Sequence, residues 1–270
     1  MDRRKPRRVS ESRHDGISKV PQVNLLFWIV KILATTLGET LGDTVSMSWL
    51  GETTPQAGAQ GVNGYLAGTA LFGALLLVMV WLQIRARRFH PALYWTTIIA
   101  STTAGTTLAD FATRSLGLGY TGGSLLLLGL VLASLASWRA AEGQVASAHV
   151  TGTRNEAFYW LTITLSQTLG TALGDWAADT GGLGYLGGAA LFGGLLGLCA
   201  LLYWLTRGNR VALFWAAFIL TRPLGATVGD FLDKPIAKGG LDLSRPIASL
   251  ALLAVMVLLI WWSAFRPRLR

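Results

Sequence analysis

Acidic side chains recur at one fixed distance from a tryptophan in four apolar stretches of the chain. The tryptophans are Trp28, Trp95, Trp160 and Trp215, and the residues fifteen positions later are Asp43, Asp110, Asp175 and Asp230. Glu39 adds a fifth carboxylate one helical turn before Asp43. Carboxylates without neighbouring His or Cys suit hard cations such as Mg²⁺, Mn²⁺ or Ca²⁺, or protons. The spacing therefore predicts a cation-binding cluster, with these five acids as the expected metal ligands.

Hydroxyl groups accompany these acids. Threonines fill the same stretches, and we take Thr36, Thr103 and Thr168 as further oxygen ligands of the predicted site. Arg222 and Lys31 are the candidates to offset the negative charge, with Lys31 close enough to one helix end to snorkel. Because buried charge in a membrane costs at least about 2.5–3.5 kcal/mol per residue, the remaining acids require protons, water or a bound cation. Pairing with Arg222 or Arg114 for structure alone is the alternative.

Small residues lie on the helix face beside each aspartate. They recur at a spacing of four, and they are Gly38, Gly42, Gly105, Gly170, Gly174, Gly225 and Gly229, with Ala109 completing the second pair. Such small-xxx-small stripes let helices approach closely in lipid. We therefore expect the four helices that carry the repeated Trp-to-Asp spacing to form an inner ring, with four other helices outside it.

The whole chain has the composition of an integral membrane protein. Of its 270 residues, 52% are hydrophobic and 14% are charged. Apolar runs of about twenty residues, the length needed to cross a bilayer, are expected as eight transmembrane helices. They cover residues 24–48, 64–84, 92–113, 121–140, 157–177, 185–206, 211–231 and 245–264. The expected fold is all-α, with four parallel two-helix repeats related by an axis along the membrane normal.

Basic residues predict the orientation. Most Lys and Arg residues fall in the N-terminal segment, every second loop and the C-terminal tail, so both termini are expected in the cytoplasm. Lys234, Lys238 and Arg245 fall in the last outer loop. The net charge of +9 is thus explained by topology, with no nucleic-acid partner. Residues 1–21 are expected to be a disordered basic tail, 22–148 and 149–265 two halves, and 266–270 a second tail.

Across residues 22–265, the four Trp-to-Asp segments resemble a bacterial family of membrane proteins built from four tandem two-helix repeats of unknown function. The resemblance implies the topology and a place in the bacterial inner membrane. It implies no activity.

Two functions remain open at this level. The first is a secondary transporter or channel for a hard divalent metal or a proton-coupled cation, with the bilayer and a small cation as partners. The second is a membrane scaffold or sensor whose aspartates pair with Arg222 and Arg114. The sequence has no nucleotide-binding loop or hydrolase motif, so we expect neither an enzyme nor a cofactor. The tryptophans, and Tyr65, Tyr120 and Tyr185, are expected to anchor helix ends at the membrane surface.

Overall fold

The computed structural model describes residues 19–51, 63–145, 150–206 and 208–265. Nearly all of the predicted N-terminal tail and the whole predicted C-terminal tail lie outside these described residues. Within them the chain is helical, and no strand occurs.

Eight long α-helices form the fold within this described part of the chain. They are α1 (Leu25–Asp43), α2 (Gly64–Arg85), α3 (Pro91–Asp110), α4 (Gly119–Glu142), α5 (Thr153–Asp175), α6 (Gly184–Leu205), α7 (Arg210–Asp233) and α8 (Arg245–Phe265). Several starts follow from capping: Asn24, Asn63 and Asn209 each accept a backbone N–H of the first turn, which satisfies a donor that the helix leaves unpaired. The predicted helices lie close to these bounds.

Three inner helices do not stop at their aspartate. The backbone continues as π-helix in the segments Thr44–Trp49, Phe111–Ser115 and Trp176–Thr180. Such wide turns are rare and are often found at functional sites. The fourth unit differs, because α7 stays α-helical to Asp233 and is followed by an irregular loop.

The four odd-numbered helices close into a ring. Each contacts the next in chain order, and α7 returns to contact α1. The even-numbered helices form an outer layer in which each one packs against the following odd helix: α2 on α3, α4 on α5, α6 on α7 and α8 on α1. The chain therefore arranges four two-helix units in the same way around one centre.

Glycines make the close contacts within the ring. A side-chain carbon on Gly42 would lie 2.9 Å from Thr106 of α3, and one on Gly174 would lie 2.9 Å from Ala226 of α7. Gly105 faces the backbone of α5, and Gly229 faces Glu39 of α1. The stripes predicted for helix packing thus form the interface between each inner helix and the next. Gly38, Gly170 and Gly225 follow the same rule, meeting Thr102, Arg222 and Thr35.

Six of the helices are long and apolar enough to cross a membrane: Leu25–Trp49, Gly64–Arg85, Gly119–Glu142, Gly184–Leu205, Arg210–Asp233 and Arg245–Trp262. Exposed leucines cover the outer helices, among them Leu77, Leu125 and Leu250. Helices α3 and α5 carry many threonines. They are mostly buried in the ring, where an apolar outer face is not needed.

Aromatic side chains close the ring at the end where the inner helices begin. In each unit the residue before the tryptophan contacts the tryptophan of the next unit. The pairs are Phe27–Trp95 at 5.7 Å, Tyr94–Trp160 at 5.7 Å, Tyr159–Trp215 at 6.0 Å and Phe214–Trp28 at 5.8 Å between ring centroids. The expectation that the tryptophans anchor helix ends in the lipid interface was wrong for Trp95, Trp160 and Trp215, which are buried. Contacts with neighbouring aromatic rings, and the large apolar area of an indole, both favour a buried position for these tryptophans.

Candidate functional site

A buried arginine joins all four inner helices near the middle of the ring. Arg222 of α7 donates from Nη2 to Glu39 Oε2 of α1 at 2.8 Å and to Thr106 Oγ1 of α3 at 2.6 Å. It also donates to Thr171 Oγ1 of α5, and its Nη1 donates to the carbonyl of Thr35 at 3.2 Å. Arg222 and Glu39 are almost fully buried. The guanidinium therefore neutralises Glu39 and fixes the four helices at one level.

The repeat explains this arrangement. Glu39, Thr106 and Thr171 all stand eleven positions after their unit's tryptophan, and the fourth unit has Ala226 at that position. The alanine leaves room for Arg222, which begins one turn earlier on α7. One small residue in the fourth unit thus allows a long cation to reach the polar groups of the other three.

The four repeated aspartates form two pairs, each bridged by one cation. Arg114 binds Asp110 Oδ1 through Nε at 2.9 Å and lies 3.4 Å from Asp175 Oδ2. Lys234 Nζ lies 2.5 Å from Asp43 Oδ2 and 3.1 Å from Asp230 Oδ1. Both cations come four residues after an aspartate of their own unit. The second and fourth units therefore each supply a positive charge to an adjacent unit.

Three carboxylates come closest together. Glu39, Asp43 and Asp230 each offer an oxygen, and these three oxygens lie within 4.8 Å of one another. All three residues are buried. Asp43 Oδ1 and Asp230 Oδ2 receive no hydrogen bond from the residues that the structure describes. We call Glu39, Asp43 and Asp230 the carboxylate triad; its free oxygens are available to a proton or a cation.

Further ion pairs lie next to the carboxylate triad. Asp233 is buried and lies 3.6 Å from Arg245 Nε and 4.0 Å from Lys234 Nζ. Arg245 also donates to Ser48 Oγ at 3.1 Å. Counting the triad, Asp110, Asp175 and Asp233, six carboxylates face the four cations Arg114, Arg222, Lys234 and Arg245. If all are ionised, two negative charges remain uncompensated among these groups.

Two of the tyrosines near the helix starts, Tyr65 and Tyr120, flank Arg114. Tyr65 and Tyr120 place their rings 6.0 and 5.8 Å from the Arg114 guanidinium, a range at which a cation is attracted to an aromatic face. Tyr65 is fully buried and Tyr185 nearly so. The expectation that these tyrosines anchor helix starts in the membrane surface was therefore wrong for Tyr65 and Tyr185.

Lys31 lies elsewhere than expected. Its side chain is fully buried instead of snorkelling to a helix end, and Nζ sits 4.2 Å from the centre of the Phe218 ring. It makes no ion pair with a carboxylate among the described residues. A contact with the ring of Phe218 on the adjacent helix thus stands in place of the charge compensation that the sequence suggested.

The hydroxyls at the site also differ from those selected on the sequence. Thr36, Thr103 and Thr168 donate to the carbonyls of Ile32, Ile99 and Thr164, one turn earlier on their own helices. Thr106 and Thr171 instead approach Glu39 Oε2, at 3.4 and 3.5 Å. The difference is one helical turn within the same threonine-rich face, which periodicity alone does not resolve.

Sequence reasoning placed Lys234 in an outer loop, whereas the structure places its ammonium inside the ring. The position of Lys234 within the repeat is the sequence signal that indicates its role. Lys234 and Arg114 both stand nineteen positions after their unit's tryptophan, where the other two units carry Met47 and Asp179.

Together these features define an all-α protein of four two-helix repeats, with a largely apolar outside and a charged centre. Four segments, residues 26–89, 93–144, 158–209 and 213–268, match the family described as Repeat of Unknown Function (DUF347). The chain belongs to this family, which confirms the resemblance inferred from the tryptophan-to-aspartate spacing. No curated protein and no solved structure matches the chain.

Proposed function

We propose that the protein crosses a bacterial inner membrane eight times, with both termini in the cytoplasm. Six helices have the length and apolarity of membrane spans. Helices α3 and α5 lie next to each other in one ring with α1 and α7. They therefore cross at the same level, shielded from lipid by their neighbours. The Arg-rich loops at alternate turns support the orientation, because positively charged loops stay in the cytoplasm.

We further propose that the four units are related by a pseudo-symmetry axis along the membrane normal. The support is the cyclic order of contacts, in which every inner helix meets the next through its glycine stripe. In such an arrangement the axis runs down the middle of the inner ring, between the helices that carry Arg222 and the four repeated aspartates. A site on the axis lies in the middle of the protein, as in transporters built from parallel repeats.

The function that this geometry supports best is transport of a small cation through the ring. The observation that carries it is the carboxylate triad, whose three buried oxygens lie within 4.8 Å of one another. Packing does not require three acids at one point, since each one costs insertion energy. All donors at the triad are oxygens, which favours hard divalent ions such as Mn²⁺, Mg²⁺ or Ca²⁺. Exchange against protons would use the same oxygens.

Flux into proteoliposomes tests this proposal. Purified protein in vesicles that contain a Mn²⁺-quenched dye should show Mn²⁺ entry above that of empty vesicles. Asp43→Asn should lower the rate by about tenfold, a change of about 1.4 kcal/mol in the barrier. Asp179→Asn is the matched control, because Asp179 is an acid of the same ring but exposed. Wild-type flux equal to that of empty vesicles, for Mn²⁺, Mg²⁺ and Ca²⁺ alike, would contradict transport.

A scaffold or sensor is the second candidate, and the ion pairs favour it. Arg222, Arg114 and Lys234 already contact every repeated acid of the ring. In that case the acids hold the helices in register, and no ion moves. Single Asp→Asn changes would then lower the melting temperature, while the vesicles would show no protein-dependent flux before or after the change.

A further inference from the structure

We propose that Lys234 is a built-in occupant of a divalent-cation site formed by Glu39, Asp43 and Asp230, held there by the loop that follows α7. This inference rests on the proposed function and adds how the proposed cation site is closed. When the ammonium leaves the triad, the divalent cation would bind in its place between the acids.

The ammonium lies against two of the three acids of the triad, Asp43 and Asp230. Lys234 Nζ contacts Asp43 Oδ2 at 2.5 Å and Asp230 Oδ1 at 3.1 Å, and it lies 3.8 Å from Met47 Sδ. The residue is more than nine-tenths buried. The ammonium is a point charge on a flexible side chain. The backbone of Lys234 must therefore be held in place for the ammonium to stay at these acids.

The loop after α7 holds that backbone. Lys234 O accepts the N–H of Asp242 at 2.9 Å, and Phe231 O accepts the N–H of Leu241 at 2.8 Å. Gly240 packs so closely that an added side-chain carbon would lie 2.7 Å from the carbonyl carbon of Lys234. Asp242 adopts φ +55°, a conformation uncommon for a residue with a side chain. This loop replaces the π-helical segment of the other three units and fixes Lys234 over the triad.

Charge and distance both fit a divalent ion. With the ammonium withdrawn, three ionised carboxylates face the single guanidinium of Arg222, so two negative charges are uncompensated. A hard cation bonded at roughly 2.1–2.5 Å can touch oxygens that are about 4–5 Å apart, and the three oxygens lie within 4.8 Å. Asp43 Oδ1 and Asp230 Oδ2, both buried and lacking a hydrogen bond from the described residues, supply further coordination.

Arg114 stands at the same repeat position in the second unit as Lys234 in the fourth, but its contacts differ. Its planar guanidinium bridges Asp110 and Asp175, and two tyrosine rings flank it. A guanidinium held in this way is always charged and geometrically fixed. The Arg114 bridge is therefore structural, and Arg114→Met is the matched control for Lys234→Met.

Binding of Mn²⁺ tests the inference. In detergent-solubilised full-length protein, Mn²⁺ affinity is measured by titration with electron paramagnetic resonance of the free ion, alongside melting with Mn²⁺ or chelator. Lys234→Met should bind Mn²⁺ at least about tenfold more tightly than wild type, and Mn²⁺ should raise its melting temperature. Adding Asp43→Asn to that variant should abolish the gain, and Arg114→Met should show none.

Two results would overturn the inference: a Lys234→Met protein with wild-type Mn²⁺ affinity, or an equal gain in Arg114→Met. If Lys234→Met does not fold, Gly240→Ala keeps every charge and displaces only the loop. This variant should also bind Mn²⁺ more tightly than wild type, and an unchanged affinity counts against the proposal.

The outcomes for binding and transport are separate. Wild-type flux that Asp43→Asn removes, together with unchanged affinity in Lys234→Met, would retain the transport function and discard the role of Lys234. Tight Mn²⁺ binding by Lys234→Met without flux in the wild type would retain the site and discard transport.

Discussion

Lys234 Nζ and Asp43 Oδ2 lie 2.5 Å apart although 191 residues separate them in the chain. Lys234 follows the last inner helix and Asp43 ends the first one. This ion pair therefore joins the two ends of the repeat array at the level of the carboxylate triad. Arg114 and Asp175 form the corresponding contact between the second and third units.

Removing the charge of Arg222 should be costly because Glu39 would remain buried without a partner. We expect Arg222→Gln to destabilise the protein by about 3–5 kcal/mol, as when one member of a buried pair is lost. Adding Glu39→Gln should restore part of that loss. The measurement is the melting temperature and folded yield in detergent. Asp230→Asn is the control, because Asp230 pairs with Lys234; restoration by Asp230→Asn instead would show that the partner is misassigned.

A large side chain at Gly174 should separate α5 from α7. Its added carbon would lie 2.9 Å from Ala226, whereas nothing lies within 4 Å of a carbon added at Gly197. Overpacking of this kind costs about 1–3 kcal/mol. Gly174→Leu should therefore lower the melting temperature clearly, and Gly197→Leu should have little effect. Equal shifts for the two variants would mean that the stripe does not form the helix contact.

The aromatic side chains that close the ring where the inner helices begin should contribute strongly to stability. Trp160 is buried between Tyr94 and Tyr159, so Trp160→Ala should cost about 3–5 kcal/mol, the usual range for deleting a buried aromatic side chain. Trp204 of α6 is 83% exposed and provides the control. Thermal melting of the two variants in one detergent measures the difference. A similar loss from Trp204→Ala would argue that detergent contact, rather than the aromatic contacts between units, sets the melting temperature.

Labelling from one side of the membrane checks the orientation. In a Cys199→Ser background, Thr180→Cys should react with an impermeant maleimide applied outside intact cells. Gln144→Cys should react only after the cells are permeabilised, since its loop follows an Arg-containing helix end. Both positions are exposed. Reaction of both from the same side would exclude the proposed crossing between them.

The fold was accessible from the sequence because the repeat is strict. A tryptophan, a glycine stripe and an aspartate at constant spacing place the same helix face inward four times, and apolar length sets the helix bounds. Lys234 was missed for a physical reason. It lies beyond the end of the apolar run, and hydropathy treats every such lysine as a solvated loop residue. Only the contacts of the loop after α7, which are long-range in the chain, turn this side chain inward.

Lys31 and the tryptophans show a related limit. Rules for membrane helices place lysine heads and indole rings at the lipid boundary, but those rules describe side chains that face lipid. In a ring of four helices the same positions face one another. Phe218 receives the Lys31 ammonium, and neighbouring aromatic rings receive the indoles. Which side of a helix meets lipid depends on the number of helices around it, and this number is a property of the assembled fold.

The closure of the ring by α7 on α1 and α8 on α1 bears on how such a chain could arise. Every unit packs against the next one through its glycine stripe. The fourth unit packs against the first in the same way. A gene encoding two units could build the same ring as a homodimer, and duplication with fusion would produce the present chain. By the same reasoning, a circular permutation that joins the ends and opens the chain between the second and third units leaves every helix neighbour in place.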